Sequence, residues 1–570
     1  SYPNAVAMAT YNWAETRTKR AIGNEEGQFQ FAQTLSLTTR AGFDILTMRE
    51  NQWEDPRVEG IYAASAEGIA KTGFSTGDRF VMDSYLTFEP DVGDQSLTVE
   101  VGGTAELTDR ENSFVRGEGF SNLHFNRARN AANPIVADAS ETSNNLVGVF
   151  SRVDYSLNGK YFLTGNFRAD ASSRFGPENR WGLFPGASFV WLVSEEGFFP
   201  TEGLVNELRF RLNYGITGNQ AISDHPFQGL FGSANYGSEP GLAPSTLANE
   251  NLKWERTREF NVGLDASFFR GRIGLEADYY LKKTDDLLLS RPITGTSGFT
   301  SVFANVGGIE NRGVELRINT INVQPRSTGD FGWSSDFNIS FNENEVVSLF
   351  NDEPFNAGRR NVNRVEVGEP LGAFHMRRFL GVDPETGNAT FSEDREIVGS
   401  PHPDFTGGLN NSLQWRGFDL NTFLQFSYGA EIFNAMRLFA DAGGWYLDNQ
   451  FEHVLNRWQE PGDQTNVPRA SFNGASGARE LSSRFIEDGS YLRIQEVTLG
   501  YTLPSDLAGR MGASSVRLYV SGQNLYTFTD YMGFTPDVNS DGSSANLSLG
   551  TDFYAYPIPR SLTIGVRGTW

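Results

Sequence analysis

The sequence predicts an all-β protein: a transmembrane antiparallel β-barrel wall with long extracellular loops. Three observations predict it. Apolar and polar residues alternate with period two in run after run. The connections between runs alternate between tight turns and segments tens of residues long. The last run ends the chain on an aromatic, Trp570.

Along the chain, Val147, Val149, Ser151, Val153 and Tyr155 oppose Gly148, Phe150, Arg152 and Asp154. Asn158-Gly159, a hairpin dipeptide, leads into Tyr161, Leu163, Gly165, Phe167 and Ala169. Phe260, Val262, Leu264, Ala266 and Phe268 oppose Asn261, Gly263, Asp265 and Ser267 without a miss. After Arg270-Gly271 the pattern restarts, with Ile273, Leu275, Ala277 and Tyr279 opposing Gly274, Glu276, Asp278 and Tyr280. Arg416-Gly417 precedes Phe418, Leu420, Thr422, Leu424 and Phe426. Val516, Leu518 and Val520 follow, and finally Leu562, Ile564, Val566, Gly568 and Trp570 share one face. About 15 or 16 such runs are expected, beginning around Gly27 and Arg40.

The long connections include Gly218–Trp254 and Phe350–Phe374, rich in Gly, Asn, Pro and Asp. A helical break is expected at Ala430–Trp458, where Ile432, Met436, Phe439 and Ala440 fall at helical spacing. Short turns on one side and long loops on the other follow the outer-membrane barrel plan, whereas a soluble sandwich mixes lengths at both ends. No helix can span a bilayer: the most apolar stretch, Gly182–Val193, contains Pro185 and falls short of the about 18 residues required. Barrel strands escape that filter, because each needs only about 9–11 alternating residues. No signal peptide is visible at Ser1.

Composition narrows the function classes. Among 570 residues, 47 Lys and Arg against 70 Asp and Glu give a net charge of −23, which argues against a nucleic-acid partner. With no cysteine, disulfide scaffolds, thiolate zinc sites and thiol nucleophiles are excluded together. The 45 Phe, 19 Tyr and 10 Trp require a large aromatic surface to be buried or interfacial, which excludes a disordered chain.

Six segments carry a family likeness, in order: Arg168–Phe199, Leu208–Ile222, Asn249–Ile318, Gly399–Asn434, Phe485–Pro504 and Arg517–Asn539. They resemble the barrel of SusC/RagA-type TonB-dependent transporters, over most of Asn145–Trp570. The resemblance implies an energy-coupled nutrient importer in the outer membrane of a Gram-negative, Bacteroidota-like cell. Its barrel would have 22 strands around a plug. It also implies a SusD-like surface lipoprotein that captures an oligosaccharide or peptide, and a plug moved through TonB–ExbB–ExbD. Residues 1–570 are therefore expected to be the C-terminal portion of that barrel, with plug and TonB box absent. The remaining strands and plug would come from missing sequence or another chain, because an unpaired edge in lipid costs several kcal/mol per backbone group. The alternative is a passive porin-like or structural barrel of about 16 strands. Neither is an enzyme.

Chemistry-bearing patterns are few. Gly73-Phe74-Ser75-Thr76-Gly77 matches the serine-hydrolase string, but no helix pattern follows it and it reads as a chance match. The five histidines, His124, His225, His375, His402 and His453, show no paired metal spacing. Asp537, Asn539 and Asp541, followed by Gly542, form the first half of a calcium loop in an external connection. Ser548 stands where the bidentate Glu belongs, so an Asp/Gly-rich turn without an ion is the competing reading. The polar strand faces carry Arg152, Asp154, Arg168, Asp170, Asp265, Glu276, Asp278, Asp419 and Glu496, the expected wall of a solute pathway.

Overall fold

The computed structural model describes residues 3–200, 203–237, 239–327, 329–446, 449–540 and 547–570. Among these, seventeen strands belong to the large antiparallel sheet, against the about 15 or 16 runs read from the sequence. The chain divides into two compact units.

In the first unit, β1 (Trp13–Ala32), β2 (Leu35–Glu54), β3 (Ile69–Phe88), β4 (Gln95–Glu118), β5 (Asn133–Leu157) and β6 (Tyr161–Ser172) pair in sequence order. Next comes β7 (Trp181–Leu192). β1 begins well before Gly27, at Trp13; Glu15–Arg20 carries charge on both faces, so no apolar alternation marks that part of the strand. At Asn158-Gly159 both residues hold positive φ, 54° and 65°, the mirror-image turn that Gly accepts freely and Asn tolerates. One face of this unit is apolar: Phe43, Ile45, Phe80, Met82 and Leu107 share it by register and are substantially exposed. The true core sits at the roots of the long loops. Trp53 meets Phe120 edge-on at 4.9 Å over Ala70. Phe175, Phe184, Leu252 and Trp254 form a second cluster, where the Trp254 indole N–H donates to the Arg180 carbonyl at 2.7 Å.

The second unit carries most of β8 (Val205–Asn219) and β9 (Glu255–Phe268), then β10 (Ile273–Asp285), β11 (Gly307–Val323), β12 (Gly332–Leu349), β13 (Phe405–Trp415), β14 (Phe418–Tyr428), β15 (Tyr491–Thr502), β16 (Ser515–Phe528) and β17 (Ser561–Thr569). From β10 to β17 each strand pairs antiparallel with the next. The long connections of this unit build sheets of their own. Phe355–Ala357, Asn363–Val365, Ala373–Val382 and Ala389–Gly399 make one; Glu431–Asn434, Ile486–Asp488 and Thr551–Asp552 make another. Their shared core is Val362, Phe374, Met376, Phe433, Leu438 and Phe485.

The expected helical break at Ala430–Trp458 is corrected to a short strand, a single helical turn at Arg437–Ala440 and a 3-10 turn at Glu452–Asn456. Its apolar spacing reflects burial in the loop core rather than a continuous helix. Ser75 lies mid-strand in β3, opposite Met48 on β2 and Asn112 on β4, with no nucleophile elbow.

Candidate functional site

The alternation that defines each strand also sorts its charges, because residues directly opposite in register share a face. In the second unit, Val262 and Leu264 fall on the face away from Asp265. Asp265 and its neighbours form a connected polar lattice. Arg211 on β8 donates to Asp265 at 2.7 Å and to Asp278 at 2.8 Å. Asn213 donates to Asn261 at 3.1 Å, and Asn261 to Asp278 at 3.3 Å. Arg317 bridges Asp336 at 2.6 Å and Glu276 at 3.5 Å. Arg517 donates through Nε to Asp419 at 2.8 Å, and Glu496 accepts from Thr498 at 2.8 Å.

The first unit repeats the device on its own polar face, with Arg20–Asp44 at 2.5 Å, Arg79–Glu106 at 2.8 Å and Arg168–Asp170 at 2.7 Å. Arg152 pairs with Asp154 at 2.5 Å. Every polar-face carboxylate singled out in the sequence is thus engaged by a cation or a hydroxyl. The wall is a mesh of ion pairs and hydrogen bonds rather than a row of free acids.

Glycine makes part of that mesh possible. A Cβ on Gly263 would sit 2.5 Å from the Arg211 Cζ and 2.6 Å from Asp278 Oδ1. Gly500 likewise leaves the room that Arg517 and Asp419 occupy. Sequence reasoning missed Arg211, Arg317 and Arg517 as the residues that tie the acids together. The available signal was an Arg at the same parity as an Asp in a neighbouring run.

Above the sheet of the second unit, the long loops enclose a cavity of about 560 Å³ lined by Asn338, Thr406, Gln425, His402, Glu431 and Asp537, among others. His402 is half-buried and its Nε2 lies 2.9 Å from the Leu371 carbonyl, so that nitrogen carries the proton. Burial holds its pKa below the ordinary imidazole value. Glu431 accepts from the Ser400 amide at 2.7 Å. Burial pushes its carboxyl up, with Asp488 and Asp404 adding to the rise.

A buried ion cluster locks the loops. Asp441, 1% exposed, receives Arg437 at 2.7 Å and Arg484 at 3.4 Å, with His453 Nε2 at 3.0 Å. Arg437 also reaches Glu487 at 3.0 Å, and Glu487 accepts from the Met532 amide at 3.0 Å. Three loop segments distant in sequence are thereby pinned together.

Of the calcium-loop residues, Asp537 and Asn539 both line the cavity. The Asp537 carboxylate lies 3.3 Å from the Arg493 guanidinium, so a side-chain cation already meets it. Asp541 lies outside the described residues. Among the described residues, no group of three or more His, Cys, Asp or Glu converges on a metal-sized site.

A sheet with one apolar and one polar face, short turns at one end and folded loops at the other, defines the class of outer-membrane β-barrel proteins. The family model described as TonB dependent receptor-like, beta-barrel, matches residues 2–525, and the chain belongs to that family. It is 31% identical over 605 aligned positions to TonB-dependent receptor P3 of Formosa agariphila, covering 99% of this chain and 59% of that protein. It is also 31% identical over 521 positions to TonB-dependent receptor SusC of Bacteroides thetaiotaomicron, covering 84% of this chain and 48% of that one. The structure of the RagAB peptide transporter superposes with a TM-score of 0.88 at 24% identity, over 98% of this chain and 63% of the other. The chain is thus a TonB-dependent receptor barrel of the SusC/RagA type, a non-enzymatic protein of the Gram-negative outer membrane, and it spans about three-fifths of the length of P3.

Proposed function

We propose that residues 1–570 form the C-terminal part of the wall of an energy-coupled importer that takes up oligosaccharides or peptides together with a SusD-like surface lipoprotein. The observation that carries this reading is the internally paired polar lattice. Arg517 pairs one-to-one with Asp419, and Arg211 is shared between Asp265 and Asp278, so most of the charge along the wall is held in ion pairs. Between these pairs the wall presents amides and hydroxyls such as Asn338, Thr406 and Gln425, which can hydrogen-bond a large polar solute. Likeness to SusC and to a transporter named for peptides supports the solute class and the lipoprotein partner.

The test is uptake by cells carrying or lacking the full-length gene, fed a panel of labelled oligosaccharides and peptides, with and without a protonophore. Loss of uptake of one solute class in the deletion, and an equal loss on collapsing the proton gradient, is the expected result. Uptake that persists in energy-poisoned cells would instead identify a passive pore.

A further inference from the structure

We propose that the first unit carries a binding site for the phosphorylated head group of an outer-leaflet lipid, formed by Arg49, Arg127 and Arg129 on the lipid-facing side of β1–β4. The proposal rests on the outer-membrane setting and not on the solute.

Register fixes the side. Phe43, Ile45, Phe80, Met82, Leu86 and Leu107 share one face of β2, β3 and β4, opposite the face that holds Arg20–Asp44 and Arg79–Glu106. Arg49 and Asn51 are on that same apolar face, two and three steps of the pleat beyond Ile45, toward the long loops. Arg17 faces Arg49, and Thr72 faces Asn51. At about 3.3 Å per residue, Arg49 lies about 13 Å along the strand from Ile45. With a strand tilt of roughly 35–45°, that is on the order of 10 Å along the membrane normal, at the level of lipid head groups.

The loop after β4 folds back over this spot. Arg127 stacks its guanidinium 4.7 Å from the Trp13 ring, and Trp13 lies on the same face as Arg17. Arg17, Arg49, Arg127 and Arg129 line a cavity of about 470 Å³ with Asn51 and Thr72. Its one acidic residue, Glu15, is taken by Arg17 at 2.7 Å. Among the described residues, Arg49, Arg127 and Arg129 make no ion pair, in a chain whose net charge is −23. Asn51 is buried, and its oxygen accepts from the Thr72 hydroxyl at 3.2 Å, leaving its amide N–H groups as donors.

Acids share this face away from the arginines: Asp78, Asp109 and Glu111 on β3 and β4, Glu141 on β5, and Glu25 farther down β1. They confine the positive potential to the loop end of β1 and β2 and to the loop after β4. Guanidinium groups grip a phosphate monoester through paired N–H bonds, and a neutral head group offers them nothing comparable.

The experiment uses the full-length receptor in nanodiscs of phosphatidylcholine doped with phosphatidic acid, and reads the phosphatidic acid retained on the purified protein by native mass spectrometry. The unsubstituted receptor is expected to retain phosphatidic acid in preference to phosphatidylcholine. Arg49→Gln and Arg129→Gln are each expected to weaken retention about fivefold. Arg49→Lys should keep most of it, and Arg416→Gln at a short turn should change nothing. Heat-modifiable migration on gels checks that each variant is folded. Retention unchanged in the folded Arg49→Gln, Arg129→Gln double variant would overturn the proposal. So would displacement of the lipid by an equal concentration of inorganic phosphate, which would make the cavity a site for soluble anions.

Discussion

Replacing Asp441 by Asn tests the ion cluster that holds the long loops of the second unit together. The carboxylate is fully buried and faces three nitrogen-bearing partners: Arg437, Arg484 and His453. Asn keeps the shape and removes the charge, leaving two guanidiniums whose side chains are 10% and 3% exposed. Breaking a buried pair from one side costs about 3–5 kcal/mol. Here Glu487 remains within 3.0 Å of Arg437, and the Ala478 carbonyl still accepts from Arg484 at 2.8 Å, which places the cost at the lower end. About 3 kcal/mol corresponds to a factor of more than 100 in the opening equilibrium of the loop assembly.

The readout is hydrogen exchange on the full-length receptor. The Phe433 amide donates to the Gly550 carbonyl at 2.8 Å, and the Ala435 amide donates to Asp552 at 2.8 Å; both should lose protection. Strand amides such as that of Leu264 should keep theirs. Unchanged protection at Phe433 and Ala435, or an equal loss throughout the strands, would refute the view that Asp441 is a local lock.

Further outcomes follow from the two faces and the cavity. Leu264→Arg should destabilise the protein by about 2–4 kcal/mol if the residue lies at the bilayer midplane, measured by urea unfolding in lipid; Asp265→Asn should cost far less. Gly263→Val should expel Arg211 from between Asp265 and Asp278, seen as altered ion selectivity of the full-length protein in planar bilayers, whereas Gly271→Ala at a turn should leave selectivity alone. His402 is held below its ordinary value of 6.5. The unfolded loop therefore binds a proton first, and stability present above about pH 6.5 is lost as pH falls toward the lowered folded value. His402→Gln should flatten that dependence in a pH series of loop hydrogen exchange.

Where one face meets lipid and the other water, alternation has to be visible, and Phe260–Phe268 shows it residue by residue. The same logic fails for the first half of β1. Glu15, Arg17, Lys19 and Arg20 lie beyond the apolar band, where neither face is selected to be greasy. The strand acids were legible individually, but their partners were not. Which Arg meets which Asp depends on strand register, and the neighbouring strand can be tens of residues away, as Arg211 and Asp265 are. The loop core misled the reading in the opposite direction. Ile432, Met436 and Phe439 have helical spacing, yet Phe433 and Ala435 pack inward too, because a small sheet and one helical turn share that stretch. Asp441 carried only a faint mark, its i,i+4 spacing from Arg437.

The central claim is that the apolar face meets lipid and the paired polar face lines a water-filled path. The absence of cysteine from these 570 residues suits single-cysteine labelling. Leu264→Cys and Asp265→Cys, adjacent on β9, would be introduced one at a time into the full-length receptor in proteoliposomes. Each would be exposed to a membrane-confined maleimide and to a small charged one. The account requires Cys at 264 to react with the lipid-borne reagent alone and Cys at 265 with the aqueous reagent alone. Equal aqueous labelling at both positions, or the reverse pattern, would contradict it.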